Sequence, residues 1–213
     1  MKCKICGTGS FADLKCAVDA GADAIGFLMG ITHKTQDAVS PEEASAMIKT
    51  LPPFIEPVAV THLQEADSII DIVQRSRCTT LQIQNTISFE DVAMIQDVLP
   101  HIRIIKAVHV MDTSAITTAE EVTAYADAII LDTRTPERLG GTGLTHDWNI
   151  SAKIVQASNI PVILAGGLTP TNVAAAIHQV HPYAVDVHTG VKINDARDAE
   201  KTKAFVEAAH RAS

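Results

Sequence analysis

Apolar and polar positions along the chain switch repeatedly between two rhythms. Short apolar runs read as strands: K-C-K-I-C, A-I-G-F-L-M, E-P-V-A-V, T-T-L-Q-I, R-I-I-K-A-V-H-V, A-D-A-I-I-L-D, I-P-V-I-L-A-G and Y-A-V-D-V. Each is followed by a segment with apolar residues every third or fourth position, from F-A-D-L-K-C-A-V-D-A-G to the closing D-A-R-D-A-E-K-T-K-A-F-V-E-A-A-H-R-A. Helix boundaries have their own chemistry. Ser40 precedes Pro41 with Glu43 in capping-box position, Asp147 precedes Trp148, Thr169 precedes Pro170, and Gly21 follows the first helix. Strand-then-helix units demand parallel strands with right-handed crossovers, and no linker or composition shift divides them. About eight such units predict a single (β/α)8 TIM barrel over residues 1–213, near the small end for that fold and therefore with short loops. A doubly wound open sheet is the runner-up. Its dinucleotide fingerprint G-x-G-x-x-G is met only by an imperfect C-G-T-G-S after the first strand.

Composition narrows the class of function. The chain is 46% hydrophobic but 4% aromatic, which suits a close-packed α/β protein and marks no surface as an oligomer interface. A formal charge of -8 without a Lys/Arg cluster excludes nucleic acid and anionic membrane as partners, so any phosphate is bound locally. No apolar run reaches the roughly 20 residues of a membrane span, and M-K-C-K-I-C leads into a strand, so a cytoplasmic location is expected. Cys3, Cys6, Cys16 and Cys78 are too few and too unevenly placed for a disulfide framework and read as free thiols.

A parallel barrel places its chemistry at the C-terminal ends of its strands. The polar residues there are Cys6, the stretch G-I-T-H-K-T-Q-D after Met29, Thr61 and His62, Gln82 and Gln84, His109, Asp132, the glycines after Ala165, and His188 with Thr189. Cys3 and Cys6 are separated by an odd interval, so on a strand their sulfurs face opposite sides and form neither a chelate nor a redox pair. Cys6 alone is the candidate thiol. Lys4 shares its face, either to favour a thiolate or to fill a polar layer of the barrel. Asp132 ends an apolar run in a partly dry mouth, where burial raises a carboxyl pKa and lets it donate a proton near neutrality. The glycine-containing segment T-R-T-P-E-R-L-G-G-T-G-L-T-H-D-W follows it, flexible enough to fold over a ligand. The clearest signal is a pair of small-residue turns. A-G-G-L-T-P-T-N after strand seven and D-V-H-T-G after strand eight place Gly166, Gly167, Thr189 and Gly190 where barrels bind phosphate monoesters. Nine histidines show no H-x-H or H-x-x-x-H ligand pair at the strand ends, so no metal is proposed.

Taken together and in order along nearly the whole chain, K-I-C-G, G-A-D-A-I-G-F, S-P-E-E-A, L-D-T with G-G-T-G and D-W, L-A-G-G-L-T-P-x-N-V and D-V-x-x-G-V resemble the phosphoribosylanthranilate isomerase family of tryptophan biosynthesis. The resemblance implies an Amadori rearrangement of a phosphorylated amino sugar without cofactor or metal. In that reading Asp132 protonates the furanose ring oxygen, and Cys6 removes the C2 proton of the resulting Schiff base. The phosphate rests on Gly166, Gly167, Thr189 and Gly190, and Asp186 fixes the mouth of the last strand.

The aryl side departs from the family. Where the family carries an Arg shortly before S-P-E, this chain reads G-I-T-H-K-T-Q-D-A-V, leaving His33 or Lys34 to supply a cation. Gln82, Ile83, Gln84 and Asn85 replace Q-L-H-G, and His188, Thr189 and Lys192 stand where a serine pair and a later Glu are usual. Gln82 and His188 are therefore candidate substrate contacts. The alternatives are a related phosphosugar isomerase acting on another amine, a phosphosugar-binding barrel without catalysis and, last, a metal-dependent epimerase.

Overall fold

A computed structural model describes residues 1–32, 35–133 and 145–212. Eight strands, β1 (Lys2–Ile5), β2 (Ala24–Leu28), β3 (Glu56–Thr61), β4 (Thr80–Ile83), β5 (Arg103–His109), β6 (Ala128–Asp132), β7 (Val162–Leu164) and β8 (Ala184–Val187), pair in parallel and in sequence order. Pairing of β1 with β8, with Lys4 opposite Asp186, closes the barrel. The strands alternate with helices α1 (Phe11–Asp19), α2 (Pro41–Ile48), α3 (Ala66–Ser76), α4 (Phe89–Val98), α5 (Ser114–Val122), α6 (Trp148–Ala157), α7 (Val173–Val180) and α8 (Ala199–Arg211). This is the (β/α)8 TIM barrel that the period of the sequence predicts.

The two faces of each strand separate into two cores. Outward residues such as Cys3, Ile5, Phe27, Ile83 and Ile129 pack against the helices, while Cys6, Leu28, Val60, Ile105, Ile130 and Ile163 fill the barrel. Cys3 and Cys6 thus lie in different cores, as their odd spacing requires. Burying two continuous apolar layers is the main stabilising contribution.

Local boundaries follow their side chains. Ser40 and Glu43 form the reciprocal capping box of α2, the Asp147 carboxylate accepts from Asn149 N–H at the start of α6, and Gly21 turns past α1 at φ 86°. The seventh helix differs. It begins at Val173 and not directly after Thr169, because Asn172 accepts from the Thr169 N–H at 2.7 Å and donates to the Gly167 carbonyl at 3.0 Å, holding the intervening residues as a turn. After β8 come a 3-10 turn over Thr189–Val191 and a two-stranded hairpin, β9 (Lys192–Ile193) with β10 (Ala196–Arg197), neither of which the periodic pattern foretold.

Candidate active site

Cys6, Gln82, Asp132, Gly166, Gly167, Asp186, His188, Thr189 and Gly190 all line one cavity at the C-terminal mouth of the barrel, together with His62 and Gln84. His33 and Lys34 lie outside the described residues, as does the G-G-T-G segment. A larger cavity of about 550 Å³ opens at the opposite end, bordered by the ion pairs Lys2–Asp23 (2.7 Å) and Arg103–Asp127 (3.1 Å). It lies at the N-terminal face, where barrels carry stability, so the smaller mouth cavity is the candidate site.

Asp132 is 7% exposed at the end of β6. One carboxyl oxygen accepts from the Thr133 N–H at 2.8 Å and the other from Gln84 Nε2 at 3.0 Å. Burial pushes its pKa up to about 6, with Asp186 adding to the rise, against the lowering by those hydrogen bonds and by Lys4. Near neutrality this carboxyl can still carry and transfer a proton.

Cys6 follows β1 in the barrel interior, and Gly26 makes room for it: a Cβ there would lie 2.8 Å from Sγ. Burial raises the thiol pKa to about 11, while the positive charges of Lys4 and Arg197 pull it down. In the unliganded protein Cys6 is therefore a thiol. Both roles considered for Lys4 are present. Its Nζ pairs with Asp186 Oδ1 at 2.8 Å within a buried polar layer, and its charge favours the Cys6 anion.

The two turns sit side by side. Gly166 and Gly167 adopt φ of 82° and 65°, a region that favours glycine, and a Cβ on Gly166 would lie 2.3 Å from Thr133 Oγ1. A Cβ on Gly190 would lie 1.9 Å from the Leu168 carbonyl oxygen, so that glycine is what lets the strand-seven and strand-eight turns touch. Asp186 differs from the expected mouth-fixing role in one respect: its carboxylate is committed to Lys4.

Several contributors escaped the sequence reading. Arg197 reaches from β10 to donate from Nη2 to the carbonyls of Cys6 (2.7 Å) and Gly7 (2.8 Å), clamping the backbone that carries the thiol. Nothing local in D-A-R-D announces a contact that spans 191 positions. Asp37 accepts from His188 Nε2 at 2.7 Å and from Lys192, joining the loops after β2 and β8. His146 bridges Thr133 Oγ1 (3.0 Å) and Ser151 Oγ (2.7 Å), and burial lowers its pKa to about 4, so it is neutral. Gln84 was visible as a strand-end residue, yet its bond to Asp132 was not. Among the described residues, no three His, Cys, Asp or Glu side chains gather as a metal site, and no helix is long and apolar enough to cross a membrane.

The profile of the N-(5'phosphoribosyl)anthranilate (PRA) isomerase family matches residues 3–208. The chain belongs to the phosphoribosylanthranilate isomerase family. N-(5'-phosphoribosyl)anthranilate isomerase 2 of Methanosarcina mazei is 39% identical over 215 residues, covering 100% of this chain and 94% of the relative. The isomerase of Methanothrix thermoacetophila is 40% identical over 203 residues, 95% of each chain. Among solved structures, the phosphoribosylanthranilate isomerase of Thermotoga maritima superposes with a TM-score of 0.87 at 32% identity, over 99% of both chains. A family member solved in complex with reduced 1-(o-carboxyphenylamino)-1-deoxyribulose 5-phosphate gives a TM-score of 0.84 at 30% identity, again over 99% of both.

Proposed function

We propose that this chain, acting as one barrel domain, converts N-(5-phosphoribosyl)anthranilate to 1-(2-carboxyphenylamino)-1-deoxyribulose 5-phosphate, with Asp132 as general acid and Cys6 as general base. The observation that carries the reading is one cavity holding a carboxyl with pKa near 6, a thiol on the first strand, and two apposed glycine turns. Family relatives bearing the isomerase name along their whole length favour it over a different amine substrate or a silent binding barrel.

The phosphate lies against Gly166, Gly167, Thr189 and Gly190, where backbone N–H groups meet an anion without side-chain interference. That anchors C5 over β7 and β8 and leaves the furanose between β1 and β6. Asp132 gives its proton to the ring oxygen as the C1–O bond breaks, and the nitrogen lone pair forms a protonated Schiff base at C1. The new iminium acidifies the C2 proton and, as a cation beside Cys6, offsets the burial that holds the thiol near 11. Cys6, having released its own proton to solvent to give the thiolate that Lys4 favours, then takes the C2 proton. The electron pair moves into the C1–C2 bond, giving an enolamine that tautomerises to the ketone. The amide oxygens of Gln82 and Gln84, buried and without a hydrogen-bond partner among the described residues, are acceptors available to sugar hydroxyls.

Turnover of the anthranilate substrate, followed by its fluorescence, tests the assignment. Cys6→Ala and Asp132→Asn each reduce kcat by about 10²–10⁴ while the fold persists. Full activity in either variant rejects the role given to that residue.

A further inference from the structure

The general acid and the phosphate turn share one neighbour. Thr133, the residue after Asp132, gives its backbone N–H to Asp132 Oδ1 at 2.8 Å. Its other side meets the turn after β7, where a Cβ on Gly166 would lie 2.3 Å from Thr133 Oγ1 and 2.9 Å from the Thr133 nitrogen. Whatever fixes Thr133 therefore bears on proton transfer and on phosphate binding at once.

His146 fixes it. The imidazole sits directly before Asp147, the N-cap of α6, and reaches back 13 positions to Thr133 Oγ1, 3.0 Å from Nδ1. Its Nε2 meets Ser151 Oγ at 2.7 Å. Ser151 is fully buried on α6 beside the buried Ile150 and Ile154, so its hydroxyl needs the partner that the imidazole supplies. A neutral imidazole has one N–H and one acceptor nitrogen, and a hydroxyl can take either part, so both bonds form whichever nitrogen carries the proton. Burial holds the His146 pKa at about 4, with Asp147 opposing, below the value of about 6 at which Asp132 titrates. The bridge keeps its form while the acid changes its own.

We propose that His146 is a positioning residue of the reaction, holding Thr133 so that its backbone N–H orients the Asp132 carboxyl while its side chain buttresses the Gly166 turn. Helix α6, through Ser151, is the fixed point from which both are held. This role rests on those proposed above for Asp132 and the glycine turns, but it is read without turnover.

The first readout is the Asp132 carboxyl resonance followed against pH in protein carrying isotope-labelled aspartate, identified by its absence from Asp132→Asn. The second is the dissociation constant of inorganic phosphate by calorimetry. His146→Phe keeps a ring in place and removes both bonds. It is expected to shift the Asp132 ionisation ratio about threefold toward the protonated form, because the Thr133 N–H no longer favours the carboxylate. Phosphate should weaken about threefold as well. His146→Gln, whose amide offers an acceptor and a donor, recovers most of both losses. Thr133→Val reproduces the Phe variant, and the double variant adds little, since the two residues act as one unit. The ionisable groups around Asp132, namely Lys4, Cys6, His62, Asp186, His188 and, opposite it on β5, His109, are the same in all of them. Wild-type titration and phosphate affinity in His146→Phe, with only the melting temperature lowered, would make the residue a structural brace and overturn the proposal. Additive effects in the double variant, or no phosphate binding in the wild type, would overturn it too. If the Phe variant does not fold, Ser151→Ala cuts the same chain at its helix end and should move both readouts in the same direction; wild-type values there reject the proposal. A wild type that binds phosphate and shows these shifts among its variants, yet isomerises no substrate, would reject the isomerase reading and leave this one standing.

Discussion

At the scale of single residues, the site depends on two groups whose protonation states run against their surroundings. Asp132 has a folded-state pKa near 6 against 3.8 in the unfolded chain, so the unfolded state ionises first as pH rises. The native state therefore loses stability between about pH 4 and 6 and carries a constant penalty above that, worth about 3 kcal/mol. Asp132→Asn should accordingly unfold at a higher urea concentration than wild type at pH 8 and show no such advantage at pH 3. A variant that is inactive yet no more stable at pH 8 would show that the carboxylate is solvated or paired beyond what burial indicates.

Rate should follow the same pair of groups. A protonated Asp132 and an anionic Cys6 are both required, and their pKa values near 6 and 11 are in the reverse order for that combination. Below the lower value the thiolate is lost faster than acid is gained, and above the upper one the acid is lost without compensation. The profile of kcat/KM against pH is expected to be flat between limbs near 6 and 11; in Asp132→Asn, where the thiol alone titrates, the plateau is replaced by a residual rate that climbs with pH to a single limb near 11. A single limb near 8.5, the ordinary thiol value, would mean that Cys6 is not desolvated in the working protein.

At the scale of elements, the loops after β7 and β8 behave as one unit because Gly190 lets them touch. Gly190→Ala places a carbon 1.9 Å from a carbonyl oxygen, a clash that no side-chain rotation relieves, so the two turns must separate. The expected outcome is a rise in KM and in the dissociation constant of inorganic phosphate together, with a smaller change in kcat. Arg197 does the corresponding work for β1: its guanidinium clamps the two carbonyls beside the thiol from a hairpin late in the chain. The two cases differ in how far the sequence revealed them. A-G-G-L and H-T-G were readable because a backbone that approaches an anion needs small residues, which is a local requirement. Arg197 and Asp37 act through partners 191 and 151 positions away, a distance no periodicity encodes. The late start of α7 was illegible for a related reason: Asn172 competes for the Thr169 N–H, and a side-chain bond outweighs the proline signal.

For the whole molecule, one buried ion pair links closure of the barrel to its chemistry. The strand period gave the number of units and the burial of alternate faces, hence the placement of Cys6 inside and Cys3 outside, but it left open whether Lys4 served the thiol or the barrel wall. The answer lies in register: closure sets Lys4 opposite Asp186, and the two strands that meet last in sequence are joined by that contact at 2.8 Å with both side chains under 10% exposed. Removing one partner leaves a buried charge uncompensated, which costs about 3–5 kcal/mol, whereas replacing both with apolar groups of similar volume is close to neutral. Lys4→Met and Asp186→Leu should each lower the urea midpoint sharply, and the double variant should recover most of the loss. Activity should part company with stability in that double variant. Without the ammonium, the largest influence favouring the Cys6 anion is gone and Arg197 alone supplies positive charge, so turnover stays low although the barrel is restored. If the double variant regained both stability and rate, Lys4 would be a wall component only, and the positive charge that assists the thiol would have to come from Arg197 and the substrate's own iminium.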